Sequence, residues 1–273
     1  CQYCMPEEGV PWIPHEKILR YEELARLFLI FWELGIKKVR ITGGEPMMSK
    51  HTWKLLEWFE TNQRKDLYFA INSNLVCKPE LIDKLLLAGK NIGDFNVYTS
   101  CESVGAKSEY IRDGFEWDTW TRNFDTIANS NAKLHSMCTI GALSLCGLVD
   151  YLNWCLEQKQ TYGKDTPTFT LNIQRFPKFQ SPLILPQSIR KQFAQDLQTW
   201  LDGADKNLLH DMEIEHVNRL VDYLDNEKNQ LGNEGLLQSL RQDFKCYYTQ
   251  FDKRRNHNFV ETFPQLAEWY NSL

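Results

Sequence analysis

Residues 37–46 read KKVRITGGEP, and this stretch decides the fold. Its first part alternates between polar and apolar side chains, as is typical of a β-strand. Gly43 and Gly44 then permit unusual backbone conformations, and Pro46 suits the first turn of a helix. The stretch therefore predicts a strand that turns directly into a helix. The turn has two interpretations: a plain connection, or a backbone that approaches a ligand while Glu45 receives a positively charged group.

Helical and strand patterns alternate outward from this stretch through the first two thirds of the chain. Apolar residues at helical spacing predict helices over 21–34, 51–59, 79–87, 117–128 and 148–159. Alternating or short apolar stretches predict strands over 37–42, 67–71, 95–99, 134–140 and 169–173, and a polar loop is expected over 100–114. Strands separated by helices pair in parallel, so the pattern predicts an α/β fold, a partial (βα)6 TIM-like barrel whose sixth strand would precede Cys1.

From Pro186 onward the sequence contains only helical patterns. They cover 187–201, 207–224 and 234–251, with a shorter one near 264–270. We therefore predict two regions: a barrel core over residues 1–175 and a helical C-terminal extension over residues 176–273. Because the chain begins at Cys1 rather than Met, we expect a fragment or a processed form with an N-terminally truncated core.

The composition is that of a globular protein, with 42% hydrophobic and 25% charged residues. The net charge of −5 argues against a nucleic-acid-binding surface spread over the molecule. The longest strongly apolar run, residues 27–32, is too short to cross a membrane. The eight cysteines are expected to be reduced, which favours a cytoplasmic protein, and Cys138, Cys146 and Cys155 are predicted to lie in the core.

Cys1 and Cys4, in the sequence CQYCMP, are the only closely spaced cysteines. Pairs of this spacing occur in zinc sites, redox dithiols and iron–sulfur sites. Structural zinc would need a second close pair of Cys or His residues, which the sequence does not contain. Pro6, Pro11 and Pro14 favour a loop here, whereas a thioredoxin-like site would need a helix after the first cysteine.

Together, CQYCMP and GGEP make the chain resemble the radical S-adenosylmethionine (SAM) enzymes. CQYC is similar to the second and third cysteines of their CxxxCxxC loop, and GGEP to their SAM-binding motif. The first cysteine of the loop would lie four residues before Cys1. CQYCMPEEGVPW especially resembles the loop of the molybdenum-cofactor GTP cyclases. The segments 171–186 and 251–273 resemble uncharacterised radical SAM proteins that have a twitch or SPASM-like C-terminal region.

The resemblance implies a set of cofactors and a chemistry. Cys1, Cys4 and a cysteine outside this chain would hold a [4Fe–4S] cluster, and SAM would bind its open iron. One electron, supplied by a reductant such as flavodoxin or ferredoxin, would cleave SAM to methionine and a 5′-deoxyadenosyl radical. The radical would then abstract hydrogen from a substrate that the sequence does not identify.

The resemblance also implies that SAM is held by residues at the carboxyl ends of the strands. Tyr3 would contact the adenine, while Gly43, Gly44 and Glu45 would contact the methionine ammonium group. The other candidates follow the next two strands: Asn72, Ser73, Asn74, Ser100, Glu102 and Arg112.

Each of these later candidates also has a structural interpretation. Residues 72–74 would either hold polar groups of SAM or form a capping turn before the next helix. Glu102 would either bind the ribose hydroxyls or be a solvated loop carboxylate. Arg112 would either pair with the SAM carboxylate or form a surface ion pair with Glu109 or Asp113.

Three functions therefore compete. The leading one is a radical SAM enzyme of unknown substrate. A GTP cyclase of the molybdenum-cofactor type is an alternative, but that family carries a second three-cysteine site and a Gly-Gly tail, whereas only Cys246 follows Cys155 here. A non-catalytic, metal-stabilised binding module is the third, because one cluster ligand is missing. The basic run 253–255 would either contact an anionic substrate or be a solvated helix face.

Overall fold

The structure, a computed structural model, describes residues 21–273, so Cys1, Tyr3 and Cys4 lie outside the described residues. Its centre is a five-stranded parallel sheet in which the strands follow one another in chain order. The strands are β1 (Lys38–Ile41), β2 (Arg64–Ser73), β3 (Ile92–Thr99), β4 (Lys133–Ile140) and β5 (Thr168–Ile173). A parallel sheet with helical crossovers confirms the predicted α/β fold and is consistent with a partial TIM-like barrel.

Helices connect the strands and then make up nearly all of the C-terminal part. Those of the first part are α1 (Tyr21–Glu33), α2 (Lys50–Thr61), α3 (Pro79–Gly89), α4 (Gly105–Ile111), α5 (Trp117–Ala128) and α6 (Leu148–Tyr162). Those of the second part are α7 (Gln187–Gly203), α8 (Asp211–Asp225), α9 (Glu234–Arg255), α10 (Phe259–Thr262) and α11 (Ala267–Ser272). None of the described helices is both long and apolar enough to cross a membrane.

The two faces of the sheet have opposite character, since successive side chains along a strand point to opposite sides. One face is apolar and carries the helices: Phe69 of β2, for example, packs edge-on against Phe59 of α2 at a centroid distance of 5.5 Å. The other, which we call the polar face, carries Arg40, Tyr98 and His135, which contact one another. The apolar face forms the core, whereas Arg40 on the polar face is exposed and Tyr98 and His135 are half-buried.

Two predictions for the middle of the chain were wrong. Strand β2 begins at Arg64 rather than at residue 67. The polar residues at its start can belong to the strand because Asp66 accepts hydrogen bonds from Arg64 and Lys37. The predicted polar loop over 100–114 contains helix α4, whose Tyr110 and Ile111 are buried. The Tyr110 ring packs against aromatic side chains of the C-terminal part, which a local pattern does not reveal.

A cluster of three indoles joins α5 to α6 on the apolar side. Trp120 lies 5.3 Å from Trp117 and 5.2 Å from Trp154, measured between ring centroids. Trp117 and Trp154 are 5.7 Å apart. Trp120 is fully buried and donates a hydrogen bond from its ring nitrogen to the Thr99 hydroxyl at 2.9 Å, which fixes the cluster to β3.

The C-terminal helices are attached to the sheet through a buried ion pair. Lys159 of α6 and Glu213 of α8 lie 3.0 Å apart, and both side chains are fully buried. Glu213 also accepts a hydrogen bond from the backbone of Phe169 in β5 at 2.8 Å. Charges removed from water in this way remain only where they are paired and hydrogen-bonded. The pair therefore links three elements at one point.

Candidate functional site

The glycine turn follows β1 directly, at the carboxyl edge of the sheet. Gly43 has a φ of +143°, which is a conformation that favours glycine. Among residues 21–273, a side chain built on Gly43 or Gly44 would meet no atom within 4 Å, so the described part of the chain leaves space beside the backbone of the turn. In the ligand-binding interpretation of this turn, a group approaching the backbone would occupy that space.

Glu45 is held in place by two backbone groups. One carboxylate oxygen accepts a hydrogen bond from the Met47 amide at 3.1 Å, and the other accepts one from the Asn74 amide at 2.7 Å. The side chain of the β1 turn is thereby tied to the loop after β2. A carboxylate oxygen can accept more than one hydrogen bond, so Glu45 retains capacity for a positively charged partner.

A cavity of about 530 Å³ opens beside the turn, between α1 and α2. Its volume is in the range of about 300–1,000 Å³ that holds small molecules and cofactors. Phe28, Leu55 and Trp58 contribute apolar wall, while Ser49 and Thr52 contribute hydroxyl groups. The residues present therefore fit a ligand that has both an apolar or aromatic part and polar groups, as SAM has.

Asn72, Ser73 and Asn74, the SAM-binding candidates at the end of β2, have different surroundings. Ser73 accepts a hydrogen bond from the Leu75 amide at 3.0 Å, and Asn74 accepts one from the Val76 amide at 2.9 Å, so both side chains stabilise a turn. Asn72 belongs to the polar face instead, where its side-chain oxygen accepts a hydrogen bond from Arg40 at 3.0 Å. The structure thus brings the Asn74 backbone, and none of these three side chains, onto Glu45.

Glu102 and Arg112 pair with each other. Arg112 donates from Nε to the Glu102 carboxylate at 2.7 Å and from a terminal nitrogen to its other oxygen, the bidentate arrangement typical of such pairs. Glu102 also accepts a hydrogen bond from the Thr139 amide of β4 at 2.9 Å, and it is only 1% exposed. Glu102 is therefore not a solvated loop carboxylate; it is buried and joins the loop after β3 to β4.

The surface partners considered for Arg112 are bonded elsewhere. Glu109 accepts a hydrogen bond from the Trp117 amide at 3.0 Å, and Asp113 pairs with Arg255 at 2.7 Å. Ser100 is half-buried between β3 and this pair. The predicted roles of Ser100, Glu102 and Arg112 at SAM stay predictions.

A stack of three side chains occupies the centre of the polar face. The Arg40 guanidinium lies 4.1 Å above the Tyr98 ring, and the Tyr98 ring stacks on His135 at 4.4 Å. The Tyr98 hydroxyl shares a hydrogen bond of 2.9 Å with Tyr68. These three residues were not predicted from the sequence; the available signal was the recurrence of polar side chains at alternate positions of otherwise apolar strands.

His135 is held in one neutral form by its neighbours. The Asn96 amide nitrogen donates to Asp94, so the Asn96 oxygen faces His135 and accepts from Nε2–H at 2.8 Å. In the neutral ring Nδ1 then accepts from the Thr168 hydroxyl, at 2.6 Å. Burial, aided by nearby Lys133, lowers the pKa of His135 to about 4. The polar face therefore presents hydrogen-bonding groups of fixed direction.

The predicted core cysteines are confirmed as buried: Cys138, Cys146 and Cys155. Burial raises the pKa of the Cys146 thiol to about 12 and that of Cys138 well above its usual value, so both are protonated at neutral pH. Within residues 21–273, no group of three or more His, Cys, Asp or Glu side chains is arranged to hold a metal ion.

Parts of the chain are similar to curated proteins. The chain is 41% identical to a protein named GTP 3′,8-cyclase from Desulforamulus reducens over 97 residues, which are 36% of this chain and 30% of that protein. It is 40% identical over 97 residues to the protein of the same name from Syntrophomonas wolfei, again 36% of this chain and 29% of that protein.

A eukaryotic relative matches over a longer stretch. The chain is 33% identical over 159 residues to a protein named Molybdenum cofactor biosynthesis protein 1 from Dictyostelium discoideum, covering 55% of this chain and 24% of that protein. The chain thus spans less than a third of the length of these curated relatives.

A family model decides the classification. The model described as Radical SAM superfamily matches residues 1–150, which include the CQYC pair and the glycine turn. Enzymes of this family use a [4Fe–4S] cluster and SAM, and they need a reductant and a substrate. The match covers more than half of the chain, and the chain therefore belongs to the radical SAM superfamily.

Proposed function

We propose that this protein is a radical SAM enzyme that cleaves SAM reductively and uses the 5′-deoxyadenosyl group to abstract hydrogen from a substrate. The observation that carries the proposal is the open glycine turn with its fixed Glu45, bordering a cavity of about 530 Å³, in a chain of this superfamily. When bound, the cluster and SAM supply the electron transfer and the carbon–sulfur bond cleavage.

The residues of the turn bind and orient. Gly43 and Gly44 carry no side chain, so a ligand can approach their backbone closely. Glu45, held by the Met47 and Asn74 amides, accepts hydrogen bonds from a methionine ammonium group without having to reorient. In this proposal Cys1 and Cys4 would supply two thiolate ligands for the cluster, and Tyr3 would contact the adenine.

The polar face orients the substrate. Its stack of Arg40, Tyr98 and His135 spans β1, β3 and β4 on the side of the sheet away from the packed helices. Tyr98 and His135 are half-buried, so hydrogen bonds made there gain strength from the lower local dielectric. A substrate with several polar groups is therefore favoured over an apolar one.

The experiment uses the protein at its natural length, purified and reconstituted without oxygen, then mixed with SAM and dithionite. 5′-Deoxyadenosine is quantified for the wild type, Cys4→Ala, Glu45→Gln and the matched control Glu57→Gln, whose carboxylate forms an exposed ion pair on α2. We expect product from the wild type and the control, none from Cys4→Ala, and about ten-fold less from Glu45→Gln at limiting SAM.

Measuring the metal content of the same preparations shows which results would contradict the proposal. Zinc without iron, together with no SAM cleavage, would replace this proposal with the metal-stabilised binding module. Iron at full occupancy with equal product from Glu45→Gln and Glu57→Gln would leave the superfamily chemistry intact but remove Glu45 from its proposed role.

GTP cyclisation is a second candidate, because the relatives named GTP 3′,8-cyclase share up to 43% identity with the chain over stretches of about 100 residues. Against it, only Cys246 follows Cys155, whereas that family carries three further cluster cysteines. Adding GTP to the assay decides the matter: 5′-deoxyadenosine formation that increases with GTP and consumes it supports the cyclase, and indifference to GTP excludes it.

A further inference from the structure

A second cavity, of about 480 Å³, lies at the carboxyl end of β5, on the opposite edge of the sheet from the glycine turn. One wall comes from the strand end and the residues after it, and the other from α8 and the loop that follows. The lining includes Asn172, Arg175, Arg219, Asp222, Tyr223 and Asn226. The sequence segment 171–186, which the proposed function does not use, therefore contributes directly to this cavity.

The cavity is positively charged in a protein whose net charge is −5. Arg175 and Arg219 contribute two guanidinium groups to the lining, against the single carboxylate of Asp222. A concave site lined by one excess charge concentrates ligands of the opposite sign. The charge balance therefore favours an anionic ligand.

Arg219 is oriented before any ligand arrives. One of its terminal nitrogens donates to the Leu171 carbonyl at 2.6 Å and lies 2.9 Å from Nδ1 of His216. These contacts use a single nitrogen, so the rest of the guanidinium fork remains available to an oxyanion. A donor held in place in this way loses little conformational entropy on binding.

Arg175 is the second guanidinium, and it is exposed. It forms no hydrogen bond or ion pair with any residue in the range 21–273. Its charge acts on Tyr223, where it opposes the rise in the phenol pKa that burial causes. Arg175 follows β5 and Arg219 belongs to α8, so the two guanidinium groups lie on different walls of the cavity.

Amide groups add neutral donors and connect the cavity to the polar face. Asn226 uses its side-chain oxygen to accept from the Lys228 amide at 3.0 Å, which leaves its NH₂ group as a donor. Asn172 pairs in register with Thr139 of β4. It lies four positions after Thr168 in β5, so its side chain is on the same face of the sheet as Thr168, which is bonded to His135. The polar face therefore continues into the cavity at Asn172.

We propose that this cavity binds an oxyanion group of the substrate, a phosphate or a carboxylate, while the rest of the substrate lies along the polar face. This proposal rests on the proposed function in one respect: it takes the oxyanion to be part of the substrate of the radical SAM enzyme. Phosphate and carboxylate groups both match the planar fork of arginine, so we assign the cavity to an oxyanion in general. The experiment below distinguishes a phosphate from a carboxylate.

The test is isothermal titration of the natural-length protein with inorganic pyrophosphate and, separately, with succinate, in the absence of SAM and reductant. We expect one of the two to bind, Arg175→Gln to weaken its affinity about five-fold or more, and Asp222→Asn to tighten it about two-fold or more. The control Arg122→Gln removes an exposed arginine of α5, outside the cavity, and should change nothing.

The outcomes are distinct. Binding of pyrophosphate alone identifies a phosphate site, and binding of succinate alone a carboxylate site; either supports the proposal if both variants shift the affinity in the stated directions. No binding of either probe, or shifts that Arg122→Gln reproduces, overturns it. Because neither SAM nor reductant is present, a failure here leaves the SAM cleavage assay unaffected, and a failure of that assay leaves this result standing.

Discussion

His135 shows what a single residue contributes on the polar face. Its ring nitrogens are bonded to Asn96 and Thr168, its ring is stacked under Tyr98, and its pKa is lowered to about 4. In the unfolded chain the same imidazole titrates near its ordinary value of about 6.5. The unfolded chain therefore binds more protons in this interval, so the contribution of His135 to stability is complete above that value and is lost as the pH falls toward 4.

The prediction concerns the variant His135→Gln, which keeps an N–H donor for Asn96 but does not titrate. Between about pH 7.5 and about pH 5, the wild type should lose about 2 kcal/mol more of its free energy of unfolding than the variant. Urea denaturation at the two pH values measures the difference. Equal losses in the two proteins would show that the imidazole is not held neutral by the fold.

The positions of site residues in the fold could be predicted from sequence only where the residues belong to a recognisable motif. Glu45 follows two glycines at the end of a strand, so its place at the carboxyl edge of the sheet could be anticipated from sequence. The bond between Glu102 and Arg112 could not, because both lie in a stretch without a clear pattern and the deciding partner, the Thr139 amide, comes from the next strand. Long-range pairing of polar groups leaves no local signature.

At the scale of elements, β2 and β3 approach each other closely at Gly93. A side-chain carbon on Gly93 would lie 1.7 Å from the carbonyl oxygen of Lys65, and this obstacle is backbone. The register between the strands also shifts between Arg64 and Tyr68, next to this contact. The glycine is therefore required for the two strands to pair at their amino-terminal ends.

We expect Gly93→Ala to lower the free energy of unfolding by about 3 kcal/mol or more, because the strands must separate to admit the methyl group. Gly203→Ala is the matched control, since a side chain there meets nothing within 4 Å. The control should be neutral or slightly stabilising. Urea titration of both variants gives the comparison, and similar midpoints for the two would contradict the close approach.

The elements that periodicity predicts best are those buried on one side only. Helix α5 was predicted over 117–128 and has those bounds, because its Trp120, Phe124 and Ile127 repeat at helical spacing. Helix α4 was missed because seven residues give too short a window for periodicity, and its burial depends on aromatic rings more than 100 residues away in sequence. Short elements held by distant contacts escape such patterns.

For the whole molecule, the buried pair of Lys159 and Glu213 fixes the C-terminal helices to the sheet. We expect Lys159→Met to lower the free energy of unfolding by about 3 to 5 kcal/mol, because it leaves the Glu213 charge buried without its cation. The double variant Lys159→Met/Glu213→Gln should lose less than the sum of the single changes.

Lys84→Met is the control for this prediction. Lys84 pairs with Glu57 at 2.9 Å, but both side chains are about half exposed, so the change should cost at most about 0.5 kcal/mol. Chemical denaturation measures all the variants, and equal effects of Lys159→Met and Lys84→Met would mean that the buried pair does not attach the helices. The predicted division into residues 1–175 and 176–273 stays a prediction, and this pair crosses it.

The three indoles of Trp117, Trp120 and Trp154 also give the molecule an optical signature. Their ring centroids lie within 6 Å of one another and their ring planes cross at 23°, 49° and 68°, which is close enough for the indoles to couple as excitons and share absorbed energy. Coupled indoles contribute to the circular dichroism and depolarise the emission. The contribution of the two pairs that include Trp154 is lost when α5 and α6 separate, whereas the pair of Trp117 and Trp120 lies within α5 and remains. Loss of contact between α5 and α6 can thus be followed by light alone, without a label or a ligand.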